Sequence, residues 1–400
     1  MQLKRFASRP VRCAAAAAVG VSAALAGVSG AGAAVAAPSP GGGAASFTVS
    51  RIASGQRLTH WFPAAGSGGQ HKEHLTSPDD TTVLRNRLYV AFQNGVGPQG
   101  EASADGNRDS TIVEFTLGGH EVRQWDLLGK CDGLTADPQA GTVVATINED
   151  AHSSLDTIRP GARPGGQVER YAYSEPLPHH GGTDAISVFH GKLLISASAP
   201  GTTGAAAPNQ AYPAVYAVAL HPRTHVAAVR PLFYDEASAT VANAGPTAGK
   251  TVQLALTDPD SNEIVPPAAP RFGGDFMLTS QGDQEQIYVR HAGAGDQSRS
   301  VLSLSQSVDD TGWATGNGRI YTTDNSEDFV DTVSGPFRPG QAFVAVTPCD
   351  ADNAPATCPA PPAFPSNYLG LLNMSTGHIS PVALHGPALE PQGMIFLPRW

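Results

Sequence analysis

Short runs in which apolar residues recur at about every second position dominate the chain after residue 46, and they predict β-strands. The clearest are residues 82–84 and 87–92, joined by Arg85-Asn86, and residues 185–196, which turn at His190-Gly191. Both dipeptides predict tight hairpin turns. Further strands are predicted at residues 110–116, 122–127, 215–220, 225–232, 286–290 and 300–305.

An acidic residue opens a similar stretch of the chain six times. The six starts are Asp80, Asp132, Asp184, Asp258, Asp310 and Glu390, and 52, 52, 74, 52 and 80 residues separate successive starts. A period near fifty residues is typical of a β-propeller, in which each repeat is one four-stranded blade. The sequence therefore predicts an all-β fold, a six-bladed β-propeller, with seven blades possible because Asp235-Glu236 also lies about one period after Asp184.

The two longer steps and the two chain ends need their own interpretation. The longer steps carry residues 200–213 with 237–250, and 349–365, which we interpret as insertions on a rim. Apolar runs at residues 47–52 and 394–397 have no blade of their own. A propeller closes when both termini contribute to one blade, so we expect these two strands to share the sixth blade.

The first 45 residues have a different composition. Residues 1–37 combine a basic start, an Ala/Val/Leu-rich run and the small-residue site Ala34-Val35-Ala36, which together predict a secretory signal peptide. Residues 38–45 follow as a flexible leader, and residues 46–400 form the β-propeller domain. We therefore expect a secreted, extracellular protein that is monomeric and does not insert into the membrane.

The net charge indicates which partners the protein does not bind, and the cysteine positions indicate how the cysteines pair. The formal net charge of −10 gives no basic surface for nucleic acid or anionic lipid. Cys349 and Cys358 bracket a short loop and predict a disulfide in an oxidising compartment, which leaves Cys131 as a free thiol.

Two segments resemble known propeller motifs. Cys131-Asp132-Gly133-Leu134-Thr135-Ala136-Asp137 resembles the Asp-Gly-Leu/Ile-Ala-x-Asp repeat of the gluconolactonase and streptogramin-lyase propellers, and Glu390-Pro391-Gln392-Gly393-Met394 resembles their Glu-Pro-x-Gly-apolar strand opening. The resemblance implies a six-bladed ring with a divalent cation in its axial channel, used in lactone hydrolysis or lyase chemistry. The chain departs from it by lacking an Asn-Gly channel strand and by carrying Gln392 where a histidine is expected.

Carboxylates that converge on one axis repel each other unless a cation lies between them. Calcium suits such a ring best because it accepts six to eight oxygen ligands in irregular geometry. We therefore predict a divalent cation, first of all Ca²⁺, bound by Asp80, Asp132, Asp184, Asp258, Asp260, Asp310 and Glu390. The alternative for each acid is a turn-capping role, in which its carboxylate accepts nearby backbone N–H groups.

Three residues are candidates for general base or acid. His74 in His71-Lys72-Glu73-His74 and His180 in His179-His180 precede the first and third starts, and Glu263 follows the fourth. Two functions follow as hypotheses. One is a metal-assisted hydrolase or lyase of a small neutral molecule, and the other is a non-catalytic scaffold for an extracellular ligand.

Overall fold

A computed structural model of the chain describes residues 46–63, 69–178, 182–198, 211–349, 358 and 365–399. The predicted signal peptide and leader, residues 1–45, lie outside these residues, so both remain predictions. Among the residues described, no helix is long and apolar enough to cross a membrane.

The described chain is built from β-strands and one 3₁₀ turn, Gly55–Arg57. In chain order the strands are β1 (Phe47–Ser54), β2 (Thr59–Pro63), β3 (Gln70–His74), β4 (Pro78–Leu84), β5 (Arg87–Phe92), β6 (Asp109–Thr116), β7 (Glu121–Leu128), β8 (Cys131–Asp137), β9 (Thr142–Ile147), β10 (Ser154–Ile158), β11 (Val168–Tyr173), β12 (Ile186–Phe189), β13 (Lys192–Ser196), β14 (Pro213–His221), β15 (Val226–Tyr234), β16 (Ser238–Val241), β17 (Thr251–Gln253), β18 (Pro259–Ile264), β19 (Phe276–Ser280), β20 (Glu285–Arg290), β21 (Ser298–Ser303), β22 (Val308–Trp313), β23 (Gly318–Asp324), β24 (Phe329–Ser334), β25 (Ala342–Val346), β26 (Tyr368–Leu372), β27 (Ile379–Pro381), β28 (Leu384–His385) and β29 (Pro391–Pro398).

These strands form four-stranded antiparallel blades, which we number by the position of their innermost strand in the chain. From the inside outward the described blades are β4-β5-β6-β7 (blade 1), β8-β9-β10-β11 (blade 2), β12-β13-β14-β15 (blade 3), β18-β19-β20-β21 (blade 4), β22-β25-β26-β27 (blade 5) and β29-β23-β24-β1 (blade 6). Each innermost strand contacts the innermost strand of the next blade, and β29 contacts β4. The ring is therefore closed, and the predicted β-propeller is confirmed.

The hydrophobic core follows the same ring. One apolar cluster lies between each pair of neighbouring blades, for example Tyr89 and Ile112 of blade 1 against Leu134 and Val143 of blade 2. Successive side chains of a strand point to opposite faces of its blade, and these clusters bury both faces. This explains why so many strands are apolar on both faces. The closed ring protects the inner edges of the blades, because each innermost strand faces the channel and contacts the innermost strands of its neighbours.

The predicted hairpins are confirmed at their turns. Arg85 and Asn86 between β4 and β5 both have positive φ, at 50° and 58°. His190 and Gly191 between β12 and β13 also have positive φ, at 49° and 73°. Positive φ at both central residues defines the type I′ turn, whose twist matches that of the flanking strands.

The chain ends meet in blade 6, as predicted. β29 is its innermost strand and pairs with β23, and β1 is an outer strand that pairs with β24. The two strands between them arrive by an unexpected route, because β23 and β24 follow β22 of blade 5 in sequence. The chain then returns to blade 5 for β25, β26 and β27.

This crossing corrects the interpretation of the longer steps. Much of the extra length before β29 is the β23–β24 hairpin, which belongs to the closing blade and not to a rim insertion. In the other long step, the β16–β17 hairpin pairs in parallel with β21 and extends the outer edge of blade 4. Residues 199–210 and 359–364 lie outside the described part of the chain.

The cysteines match the prediction. Cys349 and Cys358 are disulfide-bonded, and Cys131 is a buried free thiol at the start of β8. Burial, together with the charges of Asp132 and Asp80, raises the pKa of the Cys131 thiol well above its ordinary value. The thiol is therefore a neutral core group.

Candidate functional site

A β-bulge at the start of the innermost strand builds the candidate site. In β4, Asp79 and Asp80 together lie opposite the single residue Ala91, because Pro78 pairs with Phe92 and Thr81 pairs with Val90. The same shift of register occurs in β8, β18, β22 and β29. A bulge turns a side chain out of the regular alternation of a strand, and bulges are common beside functional sites.

The first residue of each bulge points to the propeller axis. It is Asp79, Asp132, Asp260, Asp309 and Gln392 in blades 1, 2, 4, 5 and 6. In blade 3 the equivalent residue is Asp184, since Asp184 and Ala185 both bond to Ser196 through their backbones. We call the five aspartates the neck ring.

The neck ring separates two cavities on the axis. The smaller one, which we call the inner cavity, has a volume of about 110 Å³ and is also lined by Asp80, Asp310 and Glu263. The outer cavity, which we call the funnel, has a volume of about 450 Å³. Its wall adds the residues that follow the second strands of the blades, among them Gln93, Glu149 and Gln281. All five aspartates of the neck ring line both cavities.

Hydrogen bonds link neighbouring blades in one of two ways at five of these six positions; in blade 4 the hydroxyl group of the opposing residue, Thr279, has no hydrogen-bond partner among the described residues. Where the opposing residue is alanine, the second bulge residue is an aspartate that accepts an N–H from the next blade. Asp80 accepts the Leu134 N–H at 2.6 Å, and Asp310 accepts the Met394 N–H. These two carboxylates also accept the N–H of the following residue, Thr81 and Thr311 respectively.

In blades 2, 3 and 6 the opposing residue carries a hydroxyl group, which donates to a backbone carbonyl oxygen of the next blade. Thr146 donates its hydroxyl hydrogen to the Asp184 carbonyl oxygen at 2.6 Å. Ser196 donates to the Asp260 carbonyl and Thr323 to the Asp79 carbonyl in the same way. Each of these bonds holds the backbone of one neck aspartate, so three of the five are tied to the preceding blade.

The electrostatics of the channel disfavour so many negative charges. Burial raises the pKa of Asp79, Asp184 and Asp260 well above the ordinary aspartate value, and neighbouring carboxylates raise it further. Burial and the charges of Asp310 and Asp80 do the same to the pKa of Glu263. Without a counter-charge, full ionisation of the ring is therefore unfavourable.

Lys130 is the one basic side chain among the described residues that line the funnel. Its Nζ lies 2.8 Å from Asp132 Oδ1 and also forms an ion pair with Glu149. Side-chain amides supply the other donors. Gln93 Nε2 donates to Asp132 Oδ1 at 3.0 Å, and Gln392 Nε2 donates to Asp309 Oδ1 at 3.1 Å.

Several buried oxygen atoms in the channel have no hydrogen-bond donor. They are Asp132 Oδ2, Asp260 Oδ2, Asn262 Oδ1, Ser187 Oγ and Ser261 Oγ. All five residues line the inner cavity. Buried oxygen acceptors without a donor are costly in a protein interior, and a cation or water molecules would satisfy them.

The predicted metal ligands have four different placements. Asp132, Asp184 and Asp260 belong to the neck ring. Asp80 and Asp310 line the inner cavity, but their carboxylates are bonded to backbone N–H groups of adjacent strands. Asp258 lines the funnel and accepts the Gly282 N–H at 3.1 Å, whereas Glu390 lines neither cavity and Gln392 takes the equivalent place.

Sequence reasoning missed Asp79 and Asp309 as the axial residues of their blades. Each stands immediately before a predicted ligand, and only the bulge determines which of the two neighbours faces the axis. Lys130 and Glu149 were also missed. The sign in the sequence that could have indicated this charge is Lys130, which lies two residues before Asp132 of the neck ring.

The predicted bases are dispersed. Glu263 lines the inner cavity near Asp80 and Asp310. His74 lies on the β2–β3 hairpin, where its Nδ1 contacts the Leu58 carbonyl at 3.2 Å, and it lines neither axial cavity. His180 lies outside the described residues. Glu149 is the acid in the funnel whose pKa is raised to about 8, first by burial and then by the charge of Asp132.

The described part of the chain contains no group of three His, Cys, Asp or Glu side chains arranged to hold a metal ion directly. The unsatisfied oxygens nevertheless fit a hard cation, because they are carboxylate, amide and hydroxyl oxygens. A cation in the neck would therefore reach some of these oxygens through water or after a small movement of the side chains.

No protein-family model matches the sequence, and no curated protein matches it. Solved structures do resemble the fold, and they include gluconolactonase-like β-propellers. The periplasmic gluconolactonase PpgL of Pseudomonas aeruginosa is 12% identical, with 88% of this chain and 99% of that chain covered and a TM-score of 0.40. A putative 6-phosphogluconolactonase from Bacteroides uniformis is 9% identical, with 83% and 92% covered and a TM-score of 0.40. A protein of unknown function from Bacteroides thetaiotaomicron is 11% identical, with 86% and 65% covered and a TM-score of 0.43.

Proposed function

We propose that this protein binds a divalent cation, first of all Ca²⁺, at the neck ring, and that the funnel above it receives a small neutral molecule for metal-assisted hydrolysis or elimination. The observation that carries the proposal is the pair of buried, donor-free oxygens Asp132 Oδ2 and Asp260 Oδ2 on the axis. Both residues belong to the neck ring of five aspartates, which has one lysine beside it.

The donor set favours calcium over a transition metal. The channel offers oxygens from aspartates, Asn262 and serines, whereas the described lining of both cavities contains no histidine. Oxygen donors in a wide, irregular ring suit a cation that accepts six to eight ligands and retains water. When bound, such an ion polarises a substrate carbonyl oxygen or activates a water molecule.

The chain itself would supply binding and proton transfer. The acidic wall of the funnel disfavours anionic substrates, so a neutral molecule is the better fit. Glu149 lies in the same cavity as the neck ring and its pKa of about 8 lets it hold or release a proton near neutral pH. Lys130 contacts the Glu149 carboxylate and orients it beside the neck.

A specific observation favours a second function, a non-catalytic extracellular scaffold. One carboxylate oxygen, Oδ1, of Asp132 and of Asp309 already accepts a hydrogen bond from Gln93 and Gln392 respectively, and Glu149 is engaged by Lys130. In that case the cation only neutralises the channel, and the funnel binds a ligand without changing it. The Cys349–Cys358 disulfide supports export of the protein in either case.

Calcium binding tests the first step. Isothermal titration of chelator-treated protein should show one saturable Ca²⁺ site, and a hundredfold excess over Kd should stabilise the fold by about 2.7 kcal/mol. Asp260→Asn should abolish or strongly weaken binding, whereas Asp105→Asn, at an exposed position away from the channel, should leave it unchanged. Absence of binding in the unaltered protein would refute the cation site.

Turnover separates the two functions. Purified protein is assayed against a panel of uncharged lactones and esters, with calcium and with chelator. Calcium-dependent hydrolysis that Glu149→Gln reduces by about 10²-fold or more would support the enzyme. Calcium binding without turnover on any member, combined with tight binding of a ligand in the funnel, would favour the scaffold.

A further inference from the structure

Lys130 lies between two carboxylates that have different positions on the axis. Its Nζ is 2.8 Å from Asp132 Oδ1, which belongs to the neck ring, and it also contacts Glu149 Oε1, which lines the funnel wall outside that ring. Asp132 keeps its second oxygen, Oδ2, buried and without a donor. The lysine thus neutralises one side of a carboxylate whose other side is available to a ligand.

The backbone at the base of this lysine is held firmly. The Lys130 N–H donates to Asn148 Oδ1 at 2.9 Å, and the Asn148 N–H donates to the Lys130 carbonyl at 2.7 Å. Gly129 has a φ of +110°, and a Cβ there would lie 2.5 Å from Asn148 Oδ1. Movement of the charge is therefore confined to the four-carbon side chain.

We propose that Lys130 is a tethered counter-ion of the neck ring, which a bound cation must displace towards Glu149, and that it makes the site selective for divalent over monovalent cations. This inference rests on the proposed cation site and defines its selectivity. Glu149 gives the displaced ammonium group a partner already in contact, so displacement does not leave a buried charge unpaired.

The selectivity follows from charge. A sodium or potassium ion that entered the neck would carry the same single charge as the ammonium group it had to displace, and would gain little attraction. A divalent ion brings twice the charge and has a larger gain from the same carboxylates. The tethered lysine also has no translational entropy to lose on binding, which a free monovalent ion does.

The contact between Lys130 and Asp132 also bears on why the neck aspartates are not already arranged as metal ligands. The described side chains contain no preassembled group of three metal ligands, and Asp132 is the neck residue that Lys130 holds. Removing the ammonium charge while keeping the length of the side chain should therefore free Asp132 for a cation. Lys130→Met makes that change, and Lys130→Arg keeps the charge as a matched control.

The experiment measures the Kd of Ca²⁺ by titration calorimetry in two buffers of equal ionic strength. One contains KCl and the other contains choline chloride, whose cation is too large to enter the neck. The unaltered protein and Lys130→Arg should give the same Kd in both buffers. Lys130→Met should bind Ca²⁺ at least about tenfold more tightly in choline chloride. Its affinity should then fall several-fold in KCl, because potassium now competes.

Other outcomes lead to distinct conclusions. Calcium affinity that is equal or weaker in Lys130→Met, or that stays independent of potassium, would overturn the inference while leaving the cation site intact. No calcium binding in any of the three proteins would overturn the proposed function itself. If Lys130→Met does not fold, Lys130→Gln serves instead, because its amide can still donate to Asp132 without a charge, and the same two buffers are compared.

Discussion

Asp80 of blade 1 accepts the backbone N–H of Leu134 in blade 2, with 2.6 Å between Asp80 Oδ2 and the nitrogen. This bond replaces the hydroxyl-to-carbonyl bond that joins other neighbouring blades, such as Thr146 to Asp184. The exchange accompanies a difference in the residue opposite the bulge, which is Ala91 in blade 1 and Thr146 in blade 2. One aspartate of the tandem pair thus joins blades, while its neighbour faces the axis.

This division of roles predicts opposite effects for adjacent aspartates. Asp80→Ala removes the acceptor for two N–H groups in a buried site and should lower the free energy of unfolding by about 2 kcal/mol. Asp79→Asn removes one charge from a repelling ring and should leave stability equal or higher. Urea denaturation of the two variants at pH 7.5 in chelator makes the comparison.

A double variant tests whether the exchange explains the effect. Asp80→Gly combined with Ala91→Thr recreates the arrangement of blade 2 in blade 1. The new hydroxyl group should bond to the Asp132 carbonyl and recover more than half of the stability lost in Asp80→Gly alone. Additive destabilisation by the two changes would show that the bulges are not interchangeable.

The sequence predicts most of the fold for a physical reason. Strand periodicity and turn residues are local signals, so the β4–β5 and β12–β13 hairpins and the closing strands β1 and β29 were all predictable. The path of β23 and β24 was not, because their pairing with β29 instead of β22 depends on contacts between distant parts of the chain. Sequence spacing alone attributes the extra length to an insertion at residues 349–365 and assigns residues 318–334 to no blade.

The candidate site was predictable only to within one or two residues. In a bulge, two neighbours share one partner, and the pairs Asp79-Asp80 and Asp309-Asp310 give no local sign of which member faces the axis. The ion pair beside the neck ring was equally hard to predict, because Glu149 contacts Lys130 only once blade 2 has folded. The metal-binding roles of all seven predicted ligands stay predictions.

A side chain at Gly393, the second bulge residue of blade 6, should strongly destabilise the protein, because the backbone of blade 1 lies very close to this position. A Cβ there would lie 2.5 Å from the Asp79 carbonyl oxygen and 2.7 Å from Asp80 Cα, so backbone would have to move. Gly393→Ala should therefore lower the free energy of unfolding by about 2 kcal/mol or more. Gly161→Ala is the matched control, since nothing lies within 4 Å of its added Cβ.

The outcome at Gly393 is read from thermal and urea melts in chelator. The control should shift the melting temperature by less than a degree or two in either direction. Equal stability of Gly393→Ala and the unaltered protein would mean that the contact between blades 6 and 1 is looser than the structure shows.

The channel carboxylates predict that calcium-free protein loses stability as pH rises. Burial and mutual repulsion raise the pKa of Asp79, Asp184 and Asp260 in the folded state, and burial raises that of Asp310 to about 6. The folded protein then binds more protons than the unfolded chain, so the free energy of unfolding falls as pH rises from about 4 towards 8.

Calcium should reverse this dependence. A bound cation favours the ionised carboxylates, so the stabilisation by 1 mM Ca²⁺ should grow as pH rises over the same range. Unfolding free energies at four pH values, with calcium and with chelator, provide the measurement. Parallel curves that calcium does not separate at high pH would contradict the cation site.

A second titrating group lies away from the channel. The fully buried His60 contacts Glu73 through Nε2 at 2.8 Å and Asp126 through Nδ1 at 3.3 Å, with Asn107 and Asp109 nearby. Burial alone would lower the pKa of His60, but the two carboxylates outweigh it and the pKa is raised.

A raised histidine pKa gives stability that is complete below the unfolded pKa near 6.5 and is lost as pH rises through the folded value. His60→Gln should remove that part of the pH dependence, worth about 1 kcal/mol because Asp126 is partly exposed and screened. Imidazole NMR signals of the unaltered protein should report a pKa above 6.5. A value below 6.5 would show that desolvation of His60 dominates.

Closure of the ring by β29 predicts that the C-terminal strand is essential and not a removable tail. β29 pairs with β23 along its length, buries Met394 between blades 5 and 6, and places Gln392 beside Asp309 at the neck. Deleting residues 391–400 leaves β23 as an unpaired inner edge and opens the contact with β4. The truncated protein should therefore lose cooperative unfolding, seen as a broad urea transition with a clearly reduced m-value. A synthetic peptide of residues 389–400 added to it should restore a sharp transition in a concentration-dependent manner, because the missing strand then binds in trans. A truncated protein that unfolds with the midpoint and m-value of the full chain would show that the other strands hold the ring without β29.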